Sequence, residues 1–213
     1  MKYQLIIFDW DGTVMDSVAR IVSSMQACAL DCNLTVPTAT AVRDIIGLSL
    51  YKALPILFDG LTEQDEVALL AAYRRHYLEL NTTPSPLFAG AGELIKSLHQ
   101  DGYQLAVATG KQRVGLDRVL AQTQLGSYFH ALRGADQALS KPDPLMLEQI
   151  LAELQLSPAD AVMVGDSSYD LAMAKAIGMD RIGVTYGVHD ATTLSQHTPI
   201  ALIDDIRHLR DWV

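Results

Sequence analysis

The chain has 213 residues, of which 49% are hydrophobic and 19% charged, and its formal net charge at pH 7 is −9. This length and composition are typical of one sizeable globular domain, or one domain with a smaller insertion, and argue against disorder. An acidic chain without a cluster of lysines and arginines is a poor binder of nucleic acid or anionic membranes through bulk charge. No signal-peptide pattern or membrane-spanning apolar run is visible, so we expect a cytoplasmic protein.

The first predicted strand is the unbroken apolar run Leu5–Phe8, a pattern typical of a strand buried on both faces of a parallel sheet. Two carboxylates, Asp9 and Asp11, follow it, and Gly12 then lets the chain turn without a Cβ penalty. Side chains alternate along a strand, so both acids point the same way if the chain stays extended. Because the two carboxylates repel each other, a bound cation or a shared proton is needed to stabilise them together. The alternative is a turn in which both acids merely cap a helix.

The stretch from residue 16 to about 81 has helical periodicity and shows no strand pattern. Four helices are predicted there, beginning near Asp16 or Ser17, Thr38, Ser49 and Thr62. In the last of them, Asp65 completes a capping box, and we expect an apolar stripe made of Val67, Leu70, Ala71 and Leu78. Residues 43–47 could form a loop over a site. A stiff linker, residues 82–86, ends the stretch.

From residue 87 onward, predicted strands alternate with predicted helices. The strands are expected at residues 104–109, 130–133, 161–165, 181–185 and 200–203. Such alternation indicates parallel βαβ units. The predicted fold class is therefore α/β, a doubly wound parallel sheet with a small all-helical cap inserted after the first strand. We expect a catalytic core at residues 1–15 and 85–213 and a cap domain at residues 16–84.

Polar residues stand where the predicted strands end, and open α/β sheets bind ligands at that edge. Thr109 and Gly110 follow the second strand, and Asp166 follows the strand at residues 161–165. With Asp9 and Asp11, Asp166 would complete a set of three carboxylates that suits a hard cation such as Mg²⁺. Asp170 is four residues beyond Asp166 and either shares its helix face or caps the helix.

Carboxylates around Mg²⁺, beside a hydroxyl and a lysine, are suited to phosphoryl transfer, where catalysis is mostly positioning and charge neutralisation. An aspartate can attack phosphorus and form an aspartyl-phosphate, while a nearby acid moves the protons. Thr109 and Gly110 would hydrogen-bond the phosphoryl oxygens, and Lys141 would neutralise Asp9 and the phosphate together. Lys111, which follows Gly110, is a candidate contact on the substrate side.

Four segments taken in order resemble the motifs of the haloacid dehalogenase superfamily. They are Asp9-Trp10-Asp11-Gly12-Thr13, Thr109-Gly110, Lys141-Pro142 and Gly165-Asp166-Ser167-Ser168-Tyr169-Asp170. The helical stretch after the first motif is similar to the small cap of phosphoglycolate phosphatases. The resemblance covers nearly the whole chain, and the order and spacing of the weaker motifs give them weight.

The resemblance implies a Mg²⁺-dependent phosphatase that acts on a small phosphate ester. Asp9 would be the nucleophile and a metal ligand, and Asp11 the general acid and base, with its backbone carbonyl on the metal. Asp166 would be a further ligand, and Asp170 a support or another ligand. The remaining implied site residues, which bind the phosphate or the substrate or stabilise charge, are Gly12, Thr13, Thr109, Gly110, Lys111 and Lys141.

Three alternatives remain open at this stage. True dehalogenases lack the second acid and need no metal, so Asp11 and Asp166 argue against that activity. Phosphohexomutases of similar build usually have an apolar residue at the position of Thr13, which favours a hydrolase. A binding protein that has lost turnover is the third alternative, since fold does not fix function. Phosphoglycolate, a sugar phosphate, a nucleotide and pyrophosphate are all possible substrates.

Overall fold

A computed structural model of the protein describes residues 2–213. Its centre is a six-stranded sheet in which every neighbouring pair of strands is parallel. The strands are β1 (Leu5–Phe8), β2 (Gln104–Ala108), β3 (Ala131–Arg133), β4 (Ala161–Gly165), β5 (Asp180–Val184) and β6 (Ala201–Ile203). Their order across the sheet is β3-β2-β1-β4-β5-β6. The α/β fold class with a parallel sheet is therefore confirmed.

The α-helices of residues 2–213 flank the sheet or form a separate group after β1. They are α1 (Val18–Asp31), α2 (Ala39–Asp44), α3 (Leu50–Leu57), α4 (Glu63–Arg75), α5 (Ala91–Gln100), α6 (Arg113–Thr123), α7 (Leu145–Leu154), α8 (Ser168–Ala176) and α9 (Ala191–Ser195). A π-helical turn, His76–Leu80, follows α4. Within the described residues, no helix is both long and apolar enough to cross a bilayer.

The central strand β1 lies at the point where the strand order reverses. All four of its residues are buried, because its two faces pack into different hydrophobic clusters. Ile6 and Phe8 belong to the cluster on one face, and Leu5 and Ile7 to the cluster on the other. Since β2 and β4 flank β1 in parallel, the carboxyl ends of all three strands meet at one edge, where such folds bind ligands.

Helices α1 to α4 and the π-helical turn form a unit that we call the helical insert (residues 18–80). It has a hydrophobic cluster of its own, distinct from the two beside the sheet, with Met25, Val42, Leu54 and Leu69 among its fully buried members. The predicted all-helical stretch after the first strand is thus confirmed. The exact domain boundaries, 16–84 for the cap and the remainder for the core, stay a prediction.

Two local predictions for the insert are wrong. The capping box of Thr62 and Asp65 is present, but the expected stripe on α4 is not the buried one, since Val67 is 65% exposed. Of the predicted stripe only Leu70 is buried, and Leu69, which was not predicted, is buried beside it, because the packing of α4 against α1 selects a different face. At the start of α1, Ser17 makes no side-chain capping bond. Its hydroxyl has another partner, described below.

Candidate active site

Three aspartates from two strand ends converge at the carboxyl edge of the sheet. Asp9 directly follows β1 and Asp166 directly follows β4, while Asp170 lies in the first turn of α8. All three are buried, and one carboxylate oxygen of each lies within 4.8 Å of the others. The backbone of Asp9 stays beside β4, since its N–H donates to the carbonyl of Val164 at 2.9 Å. The predicted convergence of Asp9 and Asp166 is therefore present.

Lys141 is the cation of this cluster. Its Nζ donates to Oδ1 of Asp9 and to Oδ1 of Asp170, each at 2.6 Å, and its side chain is fully buried. Burial alone would lower the pKa of Lys141, but attraction by the carboxylates of Asp170 and Asp9 outweighs it and holds that pKa above its usual value. A charged lysine thus lies between the nucleophile candidate and Asp170.

One lysine does not balance three buried acids. Burial raises the pKa of Asp9 to about 7, against the opposing attraction of Lys141. Burial, with repulsion by Asp9 and Asp170, raises the pKa of Asp166 well above its usual value. Burial and mutual repulsion therefore disfavour the charged form of these acids, and a divalent cation bound to their oxygen atoms would stabilise it.

Asp166 is held in place by the loop that follows Asp9 and by the loop after β5. Its carboxylate accepts hydrogen bonds from the Thr13 hydroxyl at 2.9 Å and from the Val188 N–H at 2.8 Å. A Cβ on Gly12 or on Gly187 would lie within 2.2 Å of Oδ2 of Asp166, so both glycines are needed for close approach. The structure thus places Gly12 and Thr13 against a metal-ligand candidate, and their predicted contact with phosphate stays a prediction.

The predicted set of Asp9, Asp11 and Asp166 is wrong in one member, since the side chain of Asp11 lies outside the group of three carboxylates and Asp170 belongs to it instead. Its Oδ1 accepts a hydrogen bond from the Ser17 hydroxyl at 2.6 Å, and its Oδ2 pairs with Nζ of Lys111 at 2.9 Å. Ser17, predicted to be a helix cap, is therefore an orienting partner of the acid–base candidate. No sequence pattern distinguishes these two uses of a serine that follows an aspartate. Lys111 also donates to the Tyr77 hydroxyl at 3.4 Å.

Thr109 and Gly110 lie beneath a loop of the insert. Thr109 is buried, and its hydroxyl oxygen accepts the N–H of Lys111 at 3.3 Å. Gly110 approaches the insert so closely that a Cβ there would lie 2.5 Å from the carbonyl oxygen of Gly47. The prediction that residues 43–47 lie over the site agrees with this contact.

Side chains and backbone groups join the insert to the core around this loop. The Ser49 N–H donates to the Ser140 hydroxyl at 2.9 Å, next to Lys141. The Tyr169 hydroxyl donates to the Asp44 carbonyl at 2.9 Å, and Arg43 donates to a carbonyl of the core at 3.0 Å. The insert is therefore closed over the aspartates.

A cavity of about 430 Å³ remains between the insert and the sheet edge. Asp9, Asp11 and Thr109 line its core side, and residues of α1, α3 and α4 line the side formed by the insert. Sequence reasoning did not identify Tyr73 or Tyr77 as part of this wall, because helical periodicity does not show where one helical unit sits over another.

Replacing Gly110 by alanine is expected to disturb the closed insert without unfolding the core. The new Cβ would collide with backbone atoms of residues 47 and 48, which cannot move aside as a flexible side chain can. Because displacements of about 1 Å at a reacting centre can cost ~100-fold in rate, we expect kcat to fall by at least ~10-fold. Phosphate-release kinetics and a thermal melt check this.

The control for this variant is Gly126→Ala, since a Cβ there meets Leu120 at an ordinary 3.7 Å. We expect the control to keep both the rate and the melting temperature of the parent. Unchanged kinetics in Gly110→Ala would show that the contact with Gly47 has no role in turnover.

The structure thus combines a parallel α/β sheet, an inserted helical unit and a buried group of aspartates linked by a lysine. The chain belongs to the haloacid dehalogenase-like hydrolase family, whose model matches residues 6–184. It is 36% identical to probable phosphatase IndB of Dickeya dadantii, over 94% of this chain and 89% of that protein. It is 34% identical to tyrosine-protein kinase PtkA of Mycobacterium tuberculosis, over 96% of this chain and 71% of that protein.

Among solved structures, the fold matches a predicted phosphoglycolate phosphatase from Haemophilus somnus 129PT with a TM-score of 0.88. That match is 25% identical in sequence and covers 99% of this chain and 98% of the other. The predicted family and the assignment as a phosphatase-type enzyme are therefore confirmed.

Proposed function

We propose that this protein is a Mg²⁺-dependent phosphatase that hydrolyses a small phosphorylated metabolite through an aspartyl-phosphate on Asp9. The observation that supports this most strongly is the contact of Asp9 with Lys141 at 2.6 Å inside a buried acidic cluster at the end of a cavity. A nucleophile, a charge-stabilising cation and ligands for a hard metal are thus within one site.

The residues present fit Mg²⁺. Asp9 and Asp166 would hold it, with the backbone carbonyl of Asp11 as the third protein ligand. Oδ1 of Asp170 accepts a bond from Lys141 at 2.6 Å, and Oδ2 accepts bonds from the N–H and the hydroxyl of Ser167. Because Asp170 thereby holds the lysine that also contacts Asp9, we assign it the task of positioning Lys141. When bound, the ion would supply positive charge to the phosphoryl oxygens and shield Asp9 from their repulsion.

The residues of the chain then account for two steps. An oxygen of Asp9 bonds to phosphorus as the ester oxygen leaves, and Asp11 donates the proton that the leaving oxygen takes up. Asp11 next removes a proton from a water molecule, whose oxygen attacks phosphorus and frees Asp9. Through both steps Lys141 offsets negative charge, while Thr109 and the Gly110 N–H hydrogen-bond the phosphoryl oxygens.

Closure of the insert belongs to the same proposal. The segment that moves is residues 16–84, with hinges near Asp16 and Pro84. It opens to admit the ester and closes to exclude water. The bonds from Ser49, Tyr169 and Arg43 across the interface, each 2.9–3.0 Å long, would break on opening.

The metal requirement is the first test of this function. Treatment with a chelator is expected to lower phosphate release from a simple ester by at least ~100-fold, because the buried carboxylates then repel the phosphoryl group. Added Mg²⁺ should restore the rate, and the measurement is phosphate release against metal concentration. A rate of phosphate release that changes with neither addition would contradict the proposal. A dehalogenase would release no phosphate under either condition, because it cleaves a carbon–halogen bond. A phosphohexomutase would instead turn over only with a sugar phosphate.

A further inference from the structure

We propose, on the basis of the function above, that the preferred substrate is a phosphate ester whose leaving group is uncharged, mainly apolar and about the size of a six-membered ring. The proposal concerns the part of the cavity that lies beyond the aspartates, between the insert and the sheet edge. Three observations support it: the chemistry of the wall, the engagement of the nearby cations and the volume.

The wall that faces the core residues is apolar. It is formed by α1, α3, α4 and the loop before α3, through side chains that present carbon atoms to the cavity. They are Ile21, Met25, Leu48, Leu50, Ala53 and Tyr73. The ring of Tyr73 lies 5.7 Å from that of Tyr77 with an interplanar angle of 23°, so the two form a stacked pair beside the cavity. Apolar and aromatic walls of this type bind apolar groups by removing them from water.

Two cationic side chains that line the cavity, those of Arg20 and Lys111, already have partners within the protein. The Arg20 guanidinium donates to the Tyr77 carbonyl at 2.7 and 3.0 Å and to the Thr83 carbonyl at 3.1 Å. Nζ of Lys111 pairs with Asp11 at 2.9 Å and lies 4.9 Å from the centre of the Tyr77 ring. A carboxylate on the leaving group would therefore have to displace an existing partner in a desolvated space, which is costly.

Two further arginines line the cavity, Arg74 and Arg118, and both are exposed to solvent. Arg74 donates to Gln112 at 2.8 Å. An anion held only by such hydrated charges gains little binding free energy, because water screens them. These arginines therefore do not make the cavity selective for an anionic leaving group.

The volume of about 430 Å³ lies in the range of about 300–1,000 Å³ that binds drug-sized ligands. A two-carbon acid such as glycolate would leave most of the apolar wall uncovered. A ring-sized group attached to the phosphate could contact that wall while the phosphoryl group lies at Asp9.

The test compares benzyl phosphate, ethyl phosphate and phosphoglycolate with the wild-type enzyme and Mg²⁺. All three esters release an alcohol bonded through a CH₂ group, so the comparison is governed mainly by the shape and charge of the leaving group. We expect kcat/KM for benzyl phosphate to exceed that for each of the others by at least ~10-fold. Equal values, or a preference for phosphoglycolate, would overturn this inference while leaving the phosphatase function intact. Absence of phosphate release from every ester would overturn the proposed function itself.

A pair of variants tests whether the wall causes the preference. Leu50 lines the cavity and is the first residue of α3, where a carboxylate is favourable to the helix, so Leu50→Glu is expected to fold. It should lower kcat/KM for benzyl phosphate by at least ~10-fold more than it lowers that for ethyl phosphate, because the two esters carry the same phosphate charge and differ in the apolar contact that the glutamate removes. Tyr51→Glu is the matched control, since Tyr51 is adjacent and 60% exposed.

The control should keep the preference of the parent for benzyl phosphate. A thermal melt of both variants shows whether they are folded. An unchanged preference in a folded Leu50→Glu variant would show that the apolar wall does not bind the leaving group. An equal loss of kcat/KM for both esters would also overturn that assignment, because it would indicate general damage to the site.

Discussion

The Asp9→Asn variant is expected to lose phosphate release by ~10³-fold or more, the scale seen when a catalytic nucleophile is removed. An amide is nearly isosteric with a carboxylate but does not attack phosphorus. Lys141 keeps its bond to Asp170 at 2.6 Å, and the amide oxygen of the new asparagine can accept the hydrogen bond that Lys141 now donates to Asp9. The buried cluster should therefore stay assembled. Steady-state phosphate release, with a circular dichroism spectrum to confirm folding, is the measurement.

The matched control is Asp59→Asn, the same change at an exposed carboxylate of the insert. It should keep the parent rate and the parent melting temperature. If Asp9→Asn retained most of the activity, another group would have to be the nucleophile.

Replacing Lys141 by methionine is expected to damage both stability and activity. The lysine is fully buried and bonded to Asp9 and Asp170, so its loss leaves two buried carboxylates without their cation. Removal of one partner from a buried ion pair costs about 3–5 kcal/mol, and we expect a fall of that order in the free energy of unfolding. Because the charge on the phosphoryl group also loses its counterion, kcat should fall by at least ~100-fold. Urea denaturation and phosphate-release kinetics measure the two effects.

Lys96→Met provides the control, since Lys96 is an exposed residue of α5. Surface substitutions of this kind usually change stability by less than about 0.5 kcal/mol. A Lys141→Met variant as stable as this control would contradict the account of the cluster as acids held together by one buried cation. Addition of Mg²⁺ should recover part of the lost stability in the Lys141 variant, since the ion binds the same carboxylates in the folded state.

The sequence predicted the sheet and the convergence of the acids for a simple geometric reason. Apolar runs such as Leu5–Phe8 mark buried parallel strands, and parallel strands end at a common edge, so Asp9 and Asp166 were expected at the same edge. That β1 and β4 are neighbours, which brings the two acids together, depends on the strand order, and the apolar pattern does not give that order. The capping box of α4 was equally predictable, because it depends only on residues three apart.

Features that depend on packing between distant segments could not be predicted in this way. The buried face of α4 is set by its contact with α1, so Val67 is exposed although it fits a helical stripe. The bond from Ser17 to Asp11 depends on how α1 leaves the first motif. The fit of Gly110 under Gly47, and the apolar wall with Tyr73, depend on how the insert sits over the sheet edge.

The most direct test of the mechanism is to find the phosphoryl group on the enzyme during turnover. We propose rapid mixing with a phosphate ester and Mg²⁺, an acid quench that preserves acyl phosphates, and mass spectrometry of the intact chain and its peptides. The account predicts a species heavier by one phosphoryl group, with the modification on Asp9, and its absence in Asp9→Asn. Turnover without such a species, or a phosphoryl group located on any other residue, would contradict it.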